Sequence, residues 1–210
     1  MTIHRKSQLI TPLTVPMTED GPLYPPEPIP RRADLTNGGR ANGELFILMG
    51  VIYNHQKIPV KNAIVEIWQA DSLGYYDHPR ARGPEAMDEY WHIERQDLDP
   101  NFAYFGSVKT DANGVYWFKT VIPRWYKVFN YIRAAHVHIK VWSKNNGVFT
   151  TEVYFPGDEQ ESVRASDKVF AGRRQKSKLM VRFFTRKDKI LEGVPSDDLL
   201  KYARRDIYFM

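Results

Sequence analysis

From Glu44 onward the chain is a succession of short β-rich runs, each cut off by Gly, Asn, Asp or Pro. The runs fall at 45–53, 63–68, 104–109, 115–120, 136–142, 148–155 and 206–209. In the second of them Ile64, Glu66 and Trp68 alternate with Val65 and Ile67, the period-two pattern of a strand with two different faces. Asp111-Ala112-Asn113-Gly114 is a turn between two runs. Many short strands with such punctuation define an all-β chain, an antiparallel β-sandwich or barrel. Helix signal is sparse; one short helix is expected at 196–202, capped by Ser196. Irregular stretches at 71–100 and 123–133 are long for a compact domain and mark functional loops.

The first forty residues differ. Pro12, Pro16, Pro22, Pro25, Pro26, Pro28 and Pro30 forbid a helix there and predict an extended N-terminal arm over 1–40. Residues 41–210 then form one β-sandwich domain, and 42% hydrophobic residues suffice for its core. No apolar run approaches the ~20 residues of a membrane helix. The basic start is followed by a stretch too broken by Gln8, Pro12 and Pro16 for a secretory core, so the cytoplasm is the expected compartment. The absence of Cys excludes disulfides, thiolate metal sites and a Cys nucleophile. No nucleophile elbow for Ser-His-Asp hydrolysis occurs.

His136 and His138 flank Val137 in one of the runs. On a strand, residues i and i+2 share a face, so both imidazoles point into one place. Neutral imidazoles suit first-row transition metals. Tyr76 and Tyr126, each in a long loop, add phenols. A phenolate is a hard anionic donor, and ionising a tyrosine near neutrality needs a strongly charged centre such as trivalent iron. Alone, the pattern does not define a site: the chain has 12 tyrosines, and a His-x-His pair also occurs as two polar residues on one strand face. His92 with Glu94 offers a rival set of the two-histidine, one-carboxylate kind used by Fe(II) enzymes.

The net charge is +5. Arg173-Arg174-Gln175-Lys176-Ser177-Lys178 and Arg186-Lys187-Asp188-Lys189 carry much of it and read as a solvated basic face. Neither has the interleaved aromatics of a nucleic-acid binder, so no nucleic-acid partner is expected. Arg124 and Lys127 flank Tyr126; either they set cations at a pocket mouth, which would favour an anionic ligand, or they face solvent or a neighbouring subunit.

Taken in order, these pieces resemble the intradiol ring-cleavage dioxygenases, non-haem Fe(III) enzymes, and within them the protocatechuate 3,4-dioxygenase type. Val65-Glu66-Ile67-Trp68-Gln69-Ala70-Asp71 with Gly74-Tyr75-Tyr76 resembles the strand leading to the family's first tyrosine ligand. Leu98-Asp99-Pro100-Asn101-Phe102, the hairpin around Gly114-Val115-Tyr116-Trp117-Phe118, and 123–126 follow in family order. Arg133-Ala134-Ala135-His136-Val137-His138 is similar to the family's Arg-Pro-Ala-His-x-His motif, and Gly21-Pro22-Leu23-Tyr24 to the loop that covers bound substrate.

The resemblance implies Fe(III) held by Tyr76 (with Tyr75 as its rival), Tyr126, His136 and His138. It implies Tyr126 and Arg133 as catalytic residues. It implies an aromatic diol and O2 as substrates, cleaved between the hydroxylated carbons to a cis,cis-muconate. Substrate contacts fall to Gly21, Pro22, Leu23, Tyr24, Arg133 and Glu152. The family also assembles, as a homo-oligomer or with a related subunit. The chain departs from the pattern at Pro123-Arg124-Trp125-Tyr126-Lys127-Val128, at Ala134 and at Glu152, where Gln is usual. These changes surround the ring pocket, so catechol and hydroxyquinol stay open beside protocatechuate. A non-enzymatic β-sandwich binding module is the reading from another class; it would be colourless, whereas Fe(III)–tyrosinate absorbs visible light.

Overall fold

The computed structural model describes residues 15–26, 28–81, 97–128 and 131–209. Its strands are β1 (Leu45–Tyr53), β2 (Ile64–Gln69), β3 (Phe105–Lys109), β4 (Val115–Val121), β5 (Tyr126–Val128) and β6 (Tyr131–Arg133). β7 (His136–Ser143), β8 (Gly147–Tyr154), β9 (Phe183–Phe184), β10 (Lys201–Arg204) and β11 (Ile207–Tyr208) follow. Two short helices, α1 (Asp158–Ser166) and α2 (Lys168–Gly172), lie between β8 and β9. None of the described helices is long and apolar enough to cross a membrane.

One sheet is built on β1. β4 runs antiparallel along one of its edges, from Leu45↔Val121 to Val51↔Val115. On the other edge β10 and then β11 run parallel to it, through Phe46↔Lys201 and Ile52↔Ile207. The second sheet has the order β3-β2-β7-β8, antiparallel throughout. The expectation of purely antiparallel pairing is therefore corrected in the first sheet. Alternation reports which face of a strand is buried, not the direction of its neighbour.

Phe46, Leu48 and Ile52 of β1, Phe118 of β4, Val65 and Ile67 of β2, and Val137, Ile139 and Val141 of β7 share one buried cluster. Each such side chain, fully buried, contributes about 1.5–3 kcal/mol of transfer free energy. Because β7 turns its odd-numbered residues to this cluster, it turns His136 and His138 to the other face. Val15 and Leu35 of the N-terminal stretch also join the cluster. That stretch is tied to the second sheet by Thr18 N–H to the Thr150 carbonyl and Ser107 N–H to the Pro30 carbonyl, 2.8 and 2.9 Å.

The helix expected at 196–202 is not formed. Tyr202 is buried in β10 opposite Ile47, while Leu199 is 92% exposed. Parallel pairing with β1 outweighs a local cap. The loop expected over 123–133 holds the β5–β6 hairpin, in which Tyr126 pairs with Arg133. α1 and α2 escape sequence reading for a physical reason: α1 carries one large apolar residue, Val163, and no helical stripe.

Candidate metal centre

His136 and His138 stand on the outer face of the second sheet, both buried. Their cross-strand neighbours hold the rings. Trp68 of β2 is in register with His138 and stacks on it, centroids 4.6 Å apart and 1° from parallel. Tyr154 of β8 is in register with His136, at 5.3 Å. His136 Nδ1 lies 2.6 Å from the Ala134 carbonyl, which only accepts; that nitrogen carries the proton and Nε2 presents its lone pair.

The two phenols come from loops locked to each other. Asp71 accepts from Leu73 N–H and Tyr75 N–H, which turns the chain toward Tyr76. Gly74 adopts φ +95°, and a Cβ there would lie 2.6 Å from the Trp125 carbonyl oxygen; a glycine is required for this approach. Arg124 N–H donates to the Asp71 carbonyl at 3.0 Å. The result sets the Tyr76 ring edge-on to Tyr126 at 5.2 Å, and Tyr126 lies 5.9 Å from the His136 ring. Of the adjacent tyrosines it is Tyr76 that packs into this cluster; Tyr75 is half-buried.

The site fits a metal ion. His136 Nε2 and His138 Nε2 are 3.0 Å apart, and His138 Nδ1 is buried without a hydrogen-bond partner among the described residues. With the His138 proton on Nδ1, its Nε2 offers a second lone pair beside that of His136, and a cation can sit between the two. The separation is what two metal–imidazole bonds of about 2.1 Å meeting near a right angle subtend. Burial drives both imidazoles far below their ordinary pKa, His136 with help from Arg133 and His138 with help from His136 and then Arg133, so both are neutral ligands. Burial pushes the Tyr126 phenol up, against Arg133 and a hydrogen bond with Tyr76. A phenolate there therefore calls for a strong positive charge, and two such oxygens favour a trivalent ion.

Glu152 also brings an oxygen within 4.8 Å of both imidazole donors. Its oxygens are already engaged. Arg133 Nη2 reaches Oε1 at 3.3 Å, Tyr154 donates to Oε2 at 3.1 Å, and Arg173 approaches both oxygens. The rival pair His92 and Glu94 lies outside the described residues.

A cavity of about 210 Å³ opens above the cluster, walled by Gly21, Pro22, Leu23, Tyr126, Arg133 and His138, with Glu152, Val169, Arg173 and Glu19 completing it. It exceeds the roughly 150 Å³ that admits a benzene ring. Gly21 sits over His138: a Cβ on it would be 3.8 Å from Cε1. Tyr24 is beside the cavity, its hydroxyl on Glu66 at 2.9 Å and its ring edge-on to Trp68. His78 ties this loop down: Arg80 N–H donates to Nδ1, so Nε2 carries the proton that meets the Tyr24 carbonyl at 3.1 Å.

Two charge readings are decided, the first in favour of solvent and the second as a correction. Arg124 and Lys127 are exposed, with Arg124 lying over the Trp125 ring, and neither walls the cavity. Arg173, expected on the solvated basic face, is on the cavity wall. Sequence reasoning also missed Asp167. It caps α2, accepting from Val169 and Phe170 N–H at 2.9 Å, and at the same time accepts from Ala134 N–H at 2.8 Å and lies 3.4 Å from Arg133 Nε. An Asp two residues ahead of the apolar pair Val169-Phe170 is the sign of it in the sequence. Asp167→Ala leaves Arg133 short of a partner and uncaps α2. It should cost about 3 kcal/mol in denaturant unfolding, while Asp167→Asn, which keeps the acceptor, should cost less.

Fold and site together define a β-rich protein with two imidazoles and two phenols converging beneath a ring-sized cavity that carries charged side chains on its wall. A family model described as Dioxygenase matches residues 20–190. The chain belongs to the intradiol ring-cleavage dioxygenase family. It is 33% identical over 162 residues to the protocatechuate 3,4-dioxygenase beta chain of Burkholderia cepacia, covering 72% of this chain and 62% of that one. It is 30% identical over 160 residues to catechol 1,2-dioxygenase of Acinetobacter baylyi, covering 68% of this chain and 47% of the relative. The chain thus spans roughly half to under two thirds of the length of these relatives. Among solved structures, mercury-inhibited catechol 1,2-dioxygenase from Acinetobacter sp. ADP1 aligns over 92% of this chain and 62% of its own, with TM-score 0.67 and 25% identity. An intradiol ring-cleavage dioxygenase from Tetranychus urticae shares the fold at TM-score 0.65 and 18% identity, over 93% of each chain.

Proposed function

We propose that this chain is an Fe(III)-dependent intradiol dioxygenase that cleaves a catechol-type ring between its two hydroxylated carbons with O2, giving a cis,cis-muconate. The convergence of Tyr76, Tyr126, His136 and His138 under the cavity carries this reading. These four residues would hold the iron. When bound, ferric iron would chelate the diol as its dianion and make the ring reactive toward O2.

The chain's own residues do the rest. Tyr126, at the cavity wall and the metal cluster together, can take up a diol proton on its phenolic oxygen. Arg133 is a cation fixed in place by Asp167, Glu152 and Tyr154, and it would stabilise negative charge developing on the ring. Gly21, Pro22 and Leu23 cover the ring and limit its contact with water. The two sheets would be the layers of a β-sandwich over 41–210, with 1–40 as an extended arm. Assembly with a second copy or a related subunit is in keeping with a relative that is itself a beta chain. A protocatechuate-like ring is the substrate we favour; catechol and hydroxyquinol are its rivals, each named among the relatives.

Iron-loaded protein should consume O2 with these rings and release a muconate-type diacid, identified by mass. A yellow semialdehyde as the main product would move the chain to the Fe(II) class that cuts beside the diol.

A further inference from the structure

Arg133 and Arg173 both reach the cavity wall, but they are not equivalent. Arg133 is engaged by Asp167, Glu152 and Tyr154. Arg173 ends α2, where its N–H donates to the Phe170 carbonyl at 3.1 Å and fixes its backbone. Its Nη2 stands 3.3 to 3.4 Å from both Glu152 oxygens, as far as Arg133 stands from its own partners, but among the described residues it meets one carboxylate where Arg133 meets two. Its Nε is buried and has no hydrogen-bond partner among the described residues. A buried donor without an acceptor is unfavourable unless something that enters the site supplies one. On this wall Arg133 and Arg173 stand with Glu19 and Glu152, and Asp167 backs Arg133. Loss of any one of them shifts the charge felt by a substituent of the ring.

Resting on the ring-cleavage reading, we propose that Arg173 is the specificity-determining residue for the ring substituent. It donates to an oxygen acceptor on the ring, with Glu152 limiting how much negative charge that group can carry. A ring carboxylate and a ring hydroxyl share this chemistry.

The test compares catechol, protocatechuate and hydroxyquinol with iron-loaded wild type, Arg173→Met, Arg173→Lys and Glu152→Gln. Steady-state kcat/KM is measured in air, and calorimetric Kd without O2. Wild type should prefer at least one oxygen-bearing ring over catechol, and which one identifies the acceptor. Arg173→Met should lower that preference about tenfold or more in both kcat/KM and Kd, as loss of a charged hydrogen bond predicts. Arg173→Lys should recover part of it. Glu152→Gln should move the protocatechuate-to-catechol ratio the opposite way, upward. A merely structural role for the pair would depress all rings together. Unchanged ratios in Arg173→Met, a wild-type preference for bare catechol, or ratios that fall in both variants overturn the assignment of Arg173. Catechol turnover in those outcomes leaves the ring-cleavage reading standing; no turnover of any ring by wild type overturns both.

Discussion

Purified protein is expected to contain about one iron per chain and to absorb visible light, and Tyr126→Phe is expected to bleach or shift that band. The substitution removes one oxygen and keeps the ring, so the edge-on packing against Tyr76 survives and the fold is not at risk. His138→Ala should go further and lose the metal. With one imidazole gone, His136 Nε2 has lost the partner 3.0 Å away with which it defines the site. Changing residues that only support metal ligands costs about 10–100-fold, so removal of a ligand should exceed 100-fold in turnover. Metal analysis, absorbance and O2 uptake on one preparation check this. Zinc, or no metal, in active protein would overturn the ligand assignment. His138→Ala also leaves a space beneath Trp68, so its thermal unfolding should be read beside the Tyr126→Phe variant, which leaves none.

Gly50→Ala should destabilise the fold by about 3 kcal/mol or more, lowering the unfolding temperature by about 10 °C in a chain of this length. Gly50 sits in β1 where the parallel partner changes from β10 to β11. An added Cβ would lie 1.8 Å from the Arg205 carbonyl oxygen and 2.9 Å from Tyr116 Cε1. That carbonyl cannot retreat freely, because it accepts from the Tyr116 hydroxyl at 2.7 Å, while Arg205 N–H is held by the Met49 carbonyl at 2.8 Å. Scanning calorimetry measures the shift. An unchanged midpoint would mean that the C-terminal strands are not seated on β1 as described.

The strands of the second sheet could be read from residues alone where they alternate between a mainly apolar face and a mixed one. Val137, Ile139 and Val141 against His136, His138 and Lys140 is the plainest case. The expected run at 45–53 coincides with β1. By contrast, β10 could not be read: a four-residue strand has too little periodicity of its own, and its pairing with Ile47 and Leu48 is a contact between distant parts of the chain. Nothing in the sequence pattern distinguishes Arg173 from the basic residues that follow it; only the path of α2 turns it toward Glu152.

By itself the sequence determined the β class, the family order of its motifs, and the pairing of His136 and His138 on one face, since period-two geometry is local and survives any arrangement of the sheets. The tertiary structure alone decided which cations and carboxylates meet at the cavity. Arg173 reaches Glu152, Asp167 holds Arg133, and Arg124 and Lys127 turn away. Those side chains come from segments far apart in the chain, and their meeting depends on how loops and short helices pack across a sheet, which no local pattern encodes.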